Sequence, residues 1–177
     1  MIAILGGQAG TPEQSIRLDT AAGMPVPNQQ GSEVTNFEAH LCEKMLAKHE
    51  PREVRCSKCN PRYNCHGLTF GSSRTKIDDA DVPRILRDDG YVRVDHAAVL
   101  PGDVILYLGS MGDVQHSGLV VAKAPPDMPH FPLVWSKWGI GPDVIHWANR
   151  APYDLQDLRF FRIASSPLPE PQHGPVV

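Results

Sequence analysis

The chain has 177 residues, enough for one domain that buries roughly two thirds of the surface its unfolded form exposes. Its composition, 41% hydrophobic and 21% charged, is that of an ordinary globular protein. The net charge is −3 and the basic residues are scattered, so there is no basic stripe for nucleic acid; no segment approaches the roughly 20 apolar residues of a membrane span. We therefore expect neither a nucleic-acid partner nor a membrane partner, and the oligomeric state is left open.

The two ends of the chain differ in composition from its middle. The N-terminal stretch is rich in Gly, Pro, Gln and Thr with little periodicity, which predicts an extended arm over residues 1–31. Its first apolar run, MIAIL, has no positively charged segment before it and is too short for a secretory signal, so we expect a cytoplasmic protein unless an unconventional route exports it. The Pro-rich tail over residues 165–177 is predicted to be disordered. One domain is therefore expected over residues 32–164.

Three helices are predicted in the first half of this domain. Apolar residues recur at helical spacing from Ser32 to about His49, with Ser32 or Thr35 as the N-cap. The members of this apolar face are Val34, Phe37, Leu41, Met45 and Leu46. A short helix is predicted from Cys65 to about Ser73, and another in DVPRILRDDG, where Asp81 is the candidate cap. The segment PREVRCSKCNPRYN between the first two helices is predicted to be a loop.

From Pro101 onwards the pattern becomes that of β-strands. Five strands are predicted in the segments PGDVILYL, HSGLVVA, PLVWSKW, DVIHWA and LRFFRI. Helices followed by a run of antiparallel strands predict an α+β domain in which N-terminal helices pack on an antiparallel β-sheet. Such a fold can bring a cysteine on a helix close to a histidine on a strand.

Cys65 and His116 are the candidate catalytic pair. The thiolate is the reactive form of cysteine, and a helix N-terminus or a neighbouring imidazole lowers the thiol pKa. Cys65 follows Asn64 where a loop passes into a helix, and His116 opens an apolar strand 51 positions later. We predict that the fold brings them together, with Cys65 as nucleophile and His116 as its base.

Three motifs in order carry a resemblance to a known group of enzymes. NCHG from Asn64, PGDVILY from Pro101 and QHSGLVV from Gln115 resemble the cysteine–histidine core of the NlpC-type and CHAP-type papain-fold hydrolases. The resemblance covers about residues 63–150 and departs from the families at His66, where they have a small residue. It implies a papain-like fold, Cys65 as nucleophile, His116 as general base, and an oxyanion held near the backbone of Asn64 and Cys65. It also implies hydrolysis of an amide in peptidoglycan peptides or a similar peptide-like substrate, and no cofactor is expected.

A third residue is needed to orient the imidazole through its other nitrogen. We favour His146, which lies in the strand-like segment DVIHW, while Ser136 and Asn149 remain alternatives. The segment VWSKWG before His146 also resembles an uncharacterised bacterial group with no assigned substrate. Asn64, Ser136 and Trp138 are the predicted substrate-binding residues, with core packing as the ordinary alternative for the tryptophan.

The remaining histidine of the NCHG motif and the other cysteines have weaker signals. His66 is predicted to lie on the helix surface, although a second base or a substrate contact stays open. Cys56 and Cys59 form one CxxC pair, and a closed structural zinc site needs four ligands. Such a site could be completed by Cys42, His49, Cys65 or His66. The other interpretations of the pair are a disulfide with Cys42, a redox pair, or plain thiols. We favour plain thiols or an incidental disulfide.

Two alternatives to a hydrolase therefore stay open at this point. One is a zinc-binding interaction module built on Cys42, Cys56 and Cys59. The other is a catalytically inactive papain-like domain that only binds its ligand.

Overall fold

The structure, a computed structural model, describes residues 14–31, 33–56, 58–127 and 131–164. The tail predicted over residues 165–177 and the first 13 residues of the predicted arm lie outside the described residues. The described strands are β1 (Asn28–Gln29), β2 (Glu53–Cys56), β3 (Lys76–Ile77), β4 (Tyr91–Val94), β5 (Val104–Leu108), β6 (Val114–Ala122), β7 (Leu133–Lys137), β8 (Asp143–Trp147) and β9 (Asp157–Ile163). The described α-helices are α1 (Asn36–His49), α2 (Cys65–Phe70) and α3 (Val82–Asp88).

A seven-stranded antiparallel sheet with the order β2-β8-β7-β6-β5-β9-β4 forms the centre of the domain. The five strands predicted from the sequence are its five inner strands, and the predicted mixed α+β class is confirmed. The prediction of a loop after α1 was wrong in part, because Glu53–Cys56 forms the edge strand β2, which pairs with β8. The strand has four residues, all of them exposed, and an alternation this short beside Pro51 is a weak signal for a strand.

Helix α1 begins as the sequence predicts and packs differently. Thr35 caps it in a reciprocal capping box with Glu38. Its apolar face is not a core face, since the side chains of Phe37 and Leu41 are 69% and 40% exposed. Cys42 is the buried residue of the helix, so α1 touches the rest of the domain along a narrow line.

Residues 14–31 double back at a turn near Gly23, with antiparallel bridges from Gln14 to Gln30 and from Asp19 to Pro25, and they lie against the domain; the predicted extended arm was wrong for this part. Strand β1 pairs with β3, and Val26 packs in one apolar cluster with Ile77 and Ile85, with Leu18 against it. This described part of the predicted arm therefore shares a small core with α3.

The Pro-Gly-Asp motif is a structural corner before β5. Gly102 has a positive φ of 95°, which favours glycine. The buried carboxylate of Asp103 accepts hydrogen bonds from the backbone N–H of Leu100 at 2.8 Å and from the Arg162 guanidinium at 2.6 and 2.7 Å. The motif therefore fastens the entry of β5 to β9.

Helix α2 is held close to β6 and β3 by its glycine. A Cβ at Gly67 would lie 1.6 Å from the carbonyl oxygen of Thr75, so a larger residue does not fit there. This close approach sets the first turn of α2, which carries Cys65 and His66, beside the start of β6. Among the described residues, no helix is long and apolar enough to cross a membrane.

Candidate active site

Cys65 is the first residue of α2 and is almost completely buried. Asn64 caps the helix through its Oδ1, which accepts from the backbone N–H of Gly67 at 2.8 Å and of Ile77 at 3.1 Å. Its Nδ2 donates to the Ile77 carbonyl at 2.7 Å. The Asn64 side chain is thus occupied in fixing the backbone around Cys65, and the predicted role of that backbone in holding an oxyanion stays a prediction.

The Cys65 thiol lies beside two imidazoles, those of His66 and His116. Burial raises the pKa of the thiol, but the charges of His66 and His116 outweigh burial and hold the pKa well below its ordinary value. The fold therefore brings together the two residues predicted as nucleophile and base, which are 51 positions apart in the chain.

His116 is fully buried, and its ring is held by aromatic neighbours. It stacks on Tyr153, and the ring centroid of Tyr107 lies 5.2 Å away. Within the described part of the chain, neither His116 ring nitrogen has a partner of regular hydrogen-bond geometry. The Cys65 thiol is the neighbour on which its charge acts, and catalytic hydrogen bonds are often formed fully only when a substrate binds.

His66 is buried in the site, so its predicted place on the helix surface was wrong. Its Nδ1 lies 2.8 Å from Ser117 Oγ and its Nε2 lies 2.9 Å from an oxygen of Asp79. Burial lowers the pKa of His66, but Cys65 and Asp79 outweigh it and raise the pKa to about 10. The site thus holds a second imidazole, paired with a carboxylate.

His146 does not make the predicted hydrogen bond to His116. Its Nδ1 donates to the Trp147 carbonyl at 2.9 Å, so its Nε2 accepts from Ser136 Oγ at 2.8 Å. Burial lowers the pKa of His146 to about 4, with the Trp147 carbonyl acting against this and the charge of His116 adding to it. Both nitrogens of His146 are therefore occupied, and the ring is neutral. The prediction that His146 bonds directly to His116 was wrong.

The other predicted site residues are buried or half-buried, and none of them contacts His116 in the described part of the chain. Ser136 is fully buried, and its hydroxyl is committed to His146. Trp138 is also buried, edge-on to the ring of His49 and 5.4 Å from that of His146. Asn149 Oδ1 is buried with no hydrogen-bond partner in the described residues, so it does not orient His116.

The three remaining cysteines surround a buried ammonium group. Cys42 contacts Cys59; burial lowers the pKa of Lys137, and the charges of Asp143 and of the three cysteines act against this. Lys137 is fully buried, with its ammonium 4.5 Å from the centre of the Tyr63 ring and 3.7 Å from Asp143. A cation already sits among these sulfurs, and the described residues contain no group of His, Cys, Asp or Glu that could hold a metal ion. The alternative of a zinc module therefore has no support in this cluster.

Four residues of the site were missed in the sequence. Thr69 lies in α2 itself, four residues after Cys65, whereas Asp79, Ser117 and Tyr153 reach the site through contacts distant in the chain. Ser117 follows His116 directly and Thr69 lies in the helix predicted from Cys65, so both could have been noticed; Asp79 and Tyr153 have no local motif.

None of the protein families, curated proteins or solved structures with which the chain was compared matches it. The resemblance to NlpC-type and CHAP-type hydrolases accordingly stays a prediction.

Proposed function

We propose that this protein is a cysteine hydrolase of papain-like arrangement that cleaves an amide bond in a peptide-like substrate. The observation that carries the proposal is the buried Cys65 thiol, with its pKa held well below the ordinary value, beside a His116 ring whose nitrogens are unoccupied in the described residues. A low-pKa thiolate and an adjacent free imidazole are the parts that nucleophilic catalysis needs.

The proposed reaction has two steps. The Cys65 sulfur attacks the carbonyl carbon after His116 has taken the thiol proton, and the proton passes from His116 to the amine nitrogen as the carbon–nitrogen bond breaks. Water, deprotonated by His116, then attacks the thioester; the carbon–sulfur bond breaks and the carboxylic acid leaves. His146, held neutral by burial and bonded to Ser136, adds no positive charge beside His116.

Access to the thiol requires movement in this proposal. Cys65 is 7% exposed and His116 is fully buried, so side chains that cover the thiol have to move before a carbonyl carbon reaches the sulfur. A closed site has a benefit, because excluding water strengthens the interaction between a thiolate and an imidazolium.

Residue-resolved alkylation and turnover together test the proposal. Limiting iodoacetamide at about pH 6, where an ordinary thiol is almost wholly protonated, should modify Cys65 ahead of Cys56, which is the exposed cysteine. A panel of muropeptides and unrelated peptides should contain a substrate whose hydrolysis is lost in Cys65→Ala, by up to about a million-fold, and in His116→Ala. The Cys56→Ser variant is the matched control and should retain turnover.

Two results would contradict the proposal. If Cys56 is alkylated at the same rate as Cys65, then Cys65 is an ordinary thiol. If Cys65 is reactive and no amide in the panel is hydrolysed, the domain is a binding module without activity.

A further inference from the structure

His66 is fully buried directly beside the nucleophile, and both its ring nitrogens are engaged. Its partners come from two other elements: Ser117 lies in β6, and Asp79 lies in a short 3-10 turn before α3. The protonation state of this ring follows from counting the hydrogens of the groups around it.

The count starts at the carbonyl of Cys65. The Thr69 hydroxyl lies 2.9 Å from this oxygen and must donate to it, because a carbonyl only accepts. Thr69 has a single hydroxyl hydrogen, so in its 2.9 Å contact with Ser117 it accepts and Ser117 donates. The single hydroxyl hydrogen of Ser117 is then used, and Ser117 must accept from His66. The Nδ1 of His66 therefore carries a hydrogen.

The other nitrogen of His66 faces Asp79. An ionised carboxylate accepts hydrogen bonds and donates none, so the 2.9 Å contact requires a hydrogen on Nε2 as well. A histidine with hydrogens on both nitrogens is an imidazolium. The raised pKa of His66 agrees with this count.

We propose that His66 is a fixed imidazolium that holds Cys65 as a thiolate, with Asp79, Ser117 and Thr69 as positioning residues, while His116 alone carries the proton during turnover. This inference rests on the proposed function for the part that concerns turnover. An imidazolium whose two N–H groups are both donated cannot take a proton from the thiol. His116, with its nitrogens unoccupied in the described residues, can.

The first test is the rate at which iodoacetamide alkylates Cys65 as a function of pH, measured by mass spectrometry. His66→Gln should lower this rate about tenfold or more at about pH 6, since tenfold corresponds to one pKa unit in the thiol. Asp79→Asn should act in the same direction. Asp78→Asn is the matched control. Asp78 is the neighbouring exposed carboxylate, but it accepts from the backbone N–H of Ala80 and not from His66, so its replacement should leave the alkylation rate unchanged.

The second test reads the ring of His66 directly. In protein labelled with ¹⁵N-histidine, the His66 ring nitrogens should both be protonated at neutral pH and up to about pH 9. Asp79→Asn should move the deprotonation of the ring to lower pH. Because Asp79 is exposed and His66 is buried, Asp79→Asn should fold even if His66→Gln does not.

A neutral His66 at pH 7, or an alkylation profile unchanged in both His66→Gln and Asp79→Asn, would overturn the inference. These outcomes are separate from failure of the proposed function. If His66→Gln changes the alkylation profile and no amide is hydrolysed, the hydrolase proposal fails and the charge assignment stands; if amides are hydrolysed and the profile does not change, the reverse holds.

Discussion

The ring of Tyr153 stacks on the ring of His116, with 3.9 Å between their centroids and 12° between their planes. Stacking fixes the orientation of an imidazole without occupying either nitrogen. His116 is thus positioned by packing, whereas His66 is positioned by hydrogen bonds, and this difference suits a ring that exchanges a proton and a ring that keeps one.

Replacing Tyr153 tests whether stacking positions the base. Tyr153→Ala should slow amide hydrolysis about fivefold to tenfold, because an aromatic pair is worth about 1 kcal/mol and each 1.4 kcal/mol is tenfold in rate. Tyr153→Phe keeps the ring and should hydrolyse the substrate at nearly the original rate. Equal losses in the two variants would assign the effect to the phenol oxygen instead of the stack.

Gly67 should tolerate no side chain, because its Cβ would overlap the Thr75 carbonyl oxygen. Gly67→Ala should lower the free energy of unfolding by about 3 kcal/mol, at the upper end of overpacking effects, and should reduce the alkylation of Cys65 at about pH 6. Gly71→Ala, at the other end of α2, is the comparison. Its Cβ would lie 3.0 Å from the nearest atom, so the free energy of unfolding, measured in urea, should fall less than in Gly67→Ala. A Gly67→Ala variant as stable as the parent would contradict the packing of α2.

The neutral, buried His146 should make the protein sensitive to acid. Its pKa is about 4 in the folded protein and ordinarily 6.5, so the unfolded chain binds more protons between these values and stability falls as the pH drops from about 6.5 to 4. The contribution is about 3 kcal/mol, from 1.36 kcal/mol per pKa unit. In urea unfolding at about pH 6.5 and about pH 4, the free energy of unfolding should fall less between the two pH values in His146→Gln than in the parent. The same loss in both would mean that His146 is not the titrating group.

Two Asp–Arg pairs of similar geometry should differ greatly in their contribution. Asp103 is buried and binds Arg162 through two hydrogen bonds, so Asp103→Asn should cost about 3 kcal/mol of unfolding free energy. Asp157 binds Arg159 in the same manner near the surface, so Asp157→Asn should cost less than about 1 kcal/mol.

At a temperature where Asp103→Asn is folded, its turnover should equal that of the parent, because the Pro-Gly-Asp motif fastens β5 and touches no reacting atom. A loss of turnover in the folded variant would give Asp103 a role beyond the corner.

Local chemistry was enough to predict the elements on which the site is built. The N-cap of α1, the helix at Cys65 and the five inner strands were all indicated by patterns within about ten residues, and the structure has them. The exposed edge strand β2 was missed because its four residues are too short a run to be recognised and neither face of it is buried.

The partners of the site side chains were decided by the tertiary structure alone. Cys65 and His116 lie beside each other as their separate motifs predicted, and their catalytic roles stay a prediction. His146 was assigned to the wrong partner, since its nitrogens bind a neighbouring carbonyl and a hydroxyl across the sheet. His66 looked like a surface residue because a six-residue helix has too few residues to show which of its faces is buried. Its contact with Asp79, 13 positions away, and with Ser117, 51 positions away, depends on the close packing of α2 against β6.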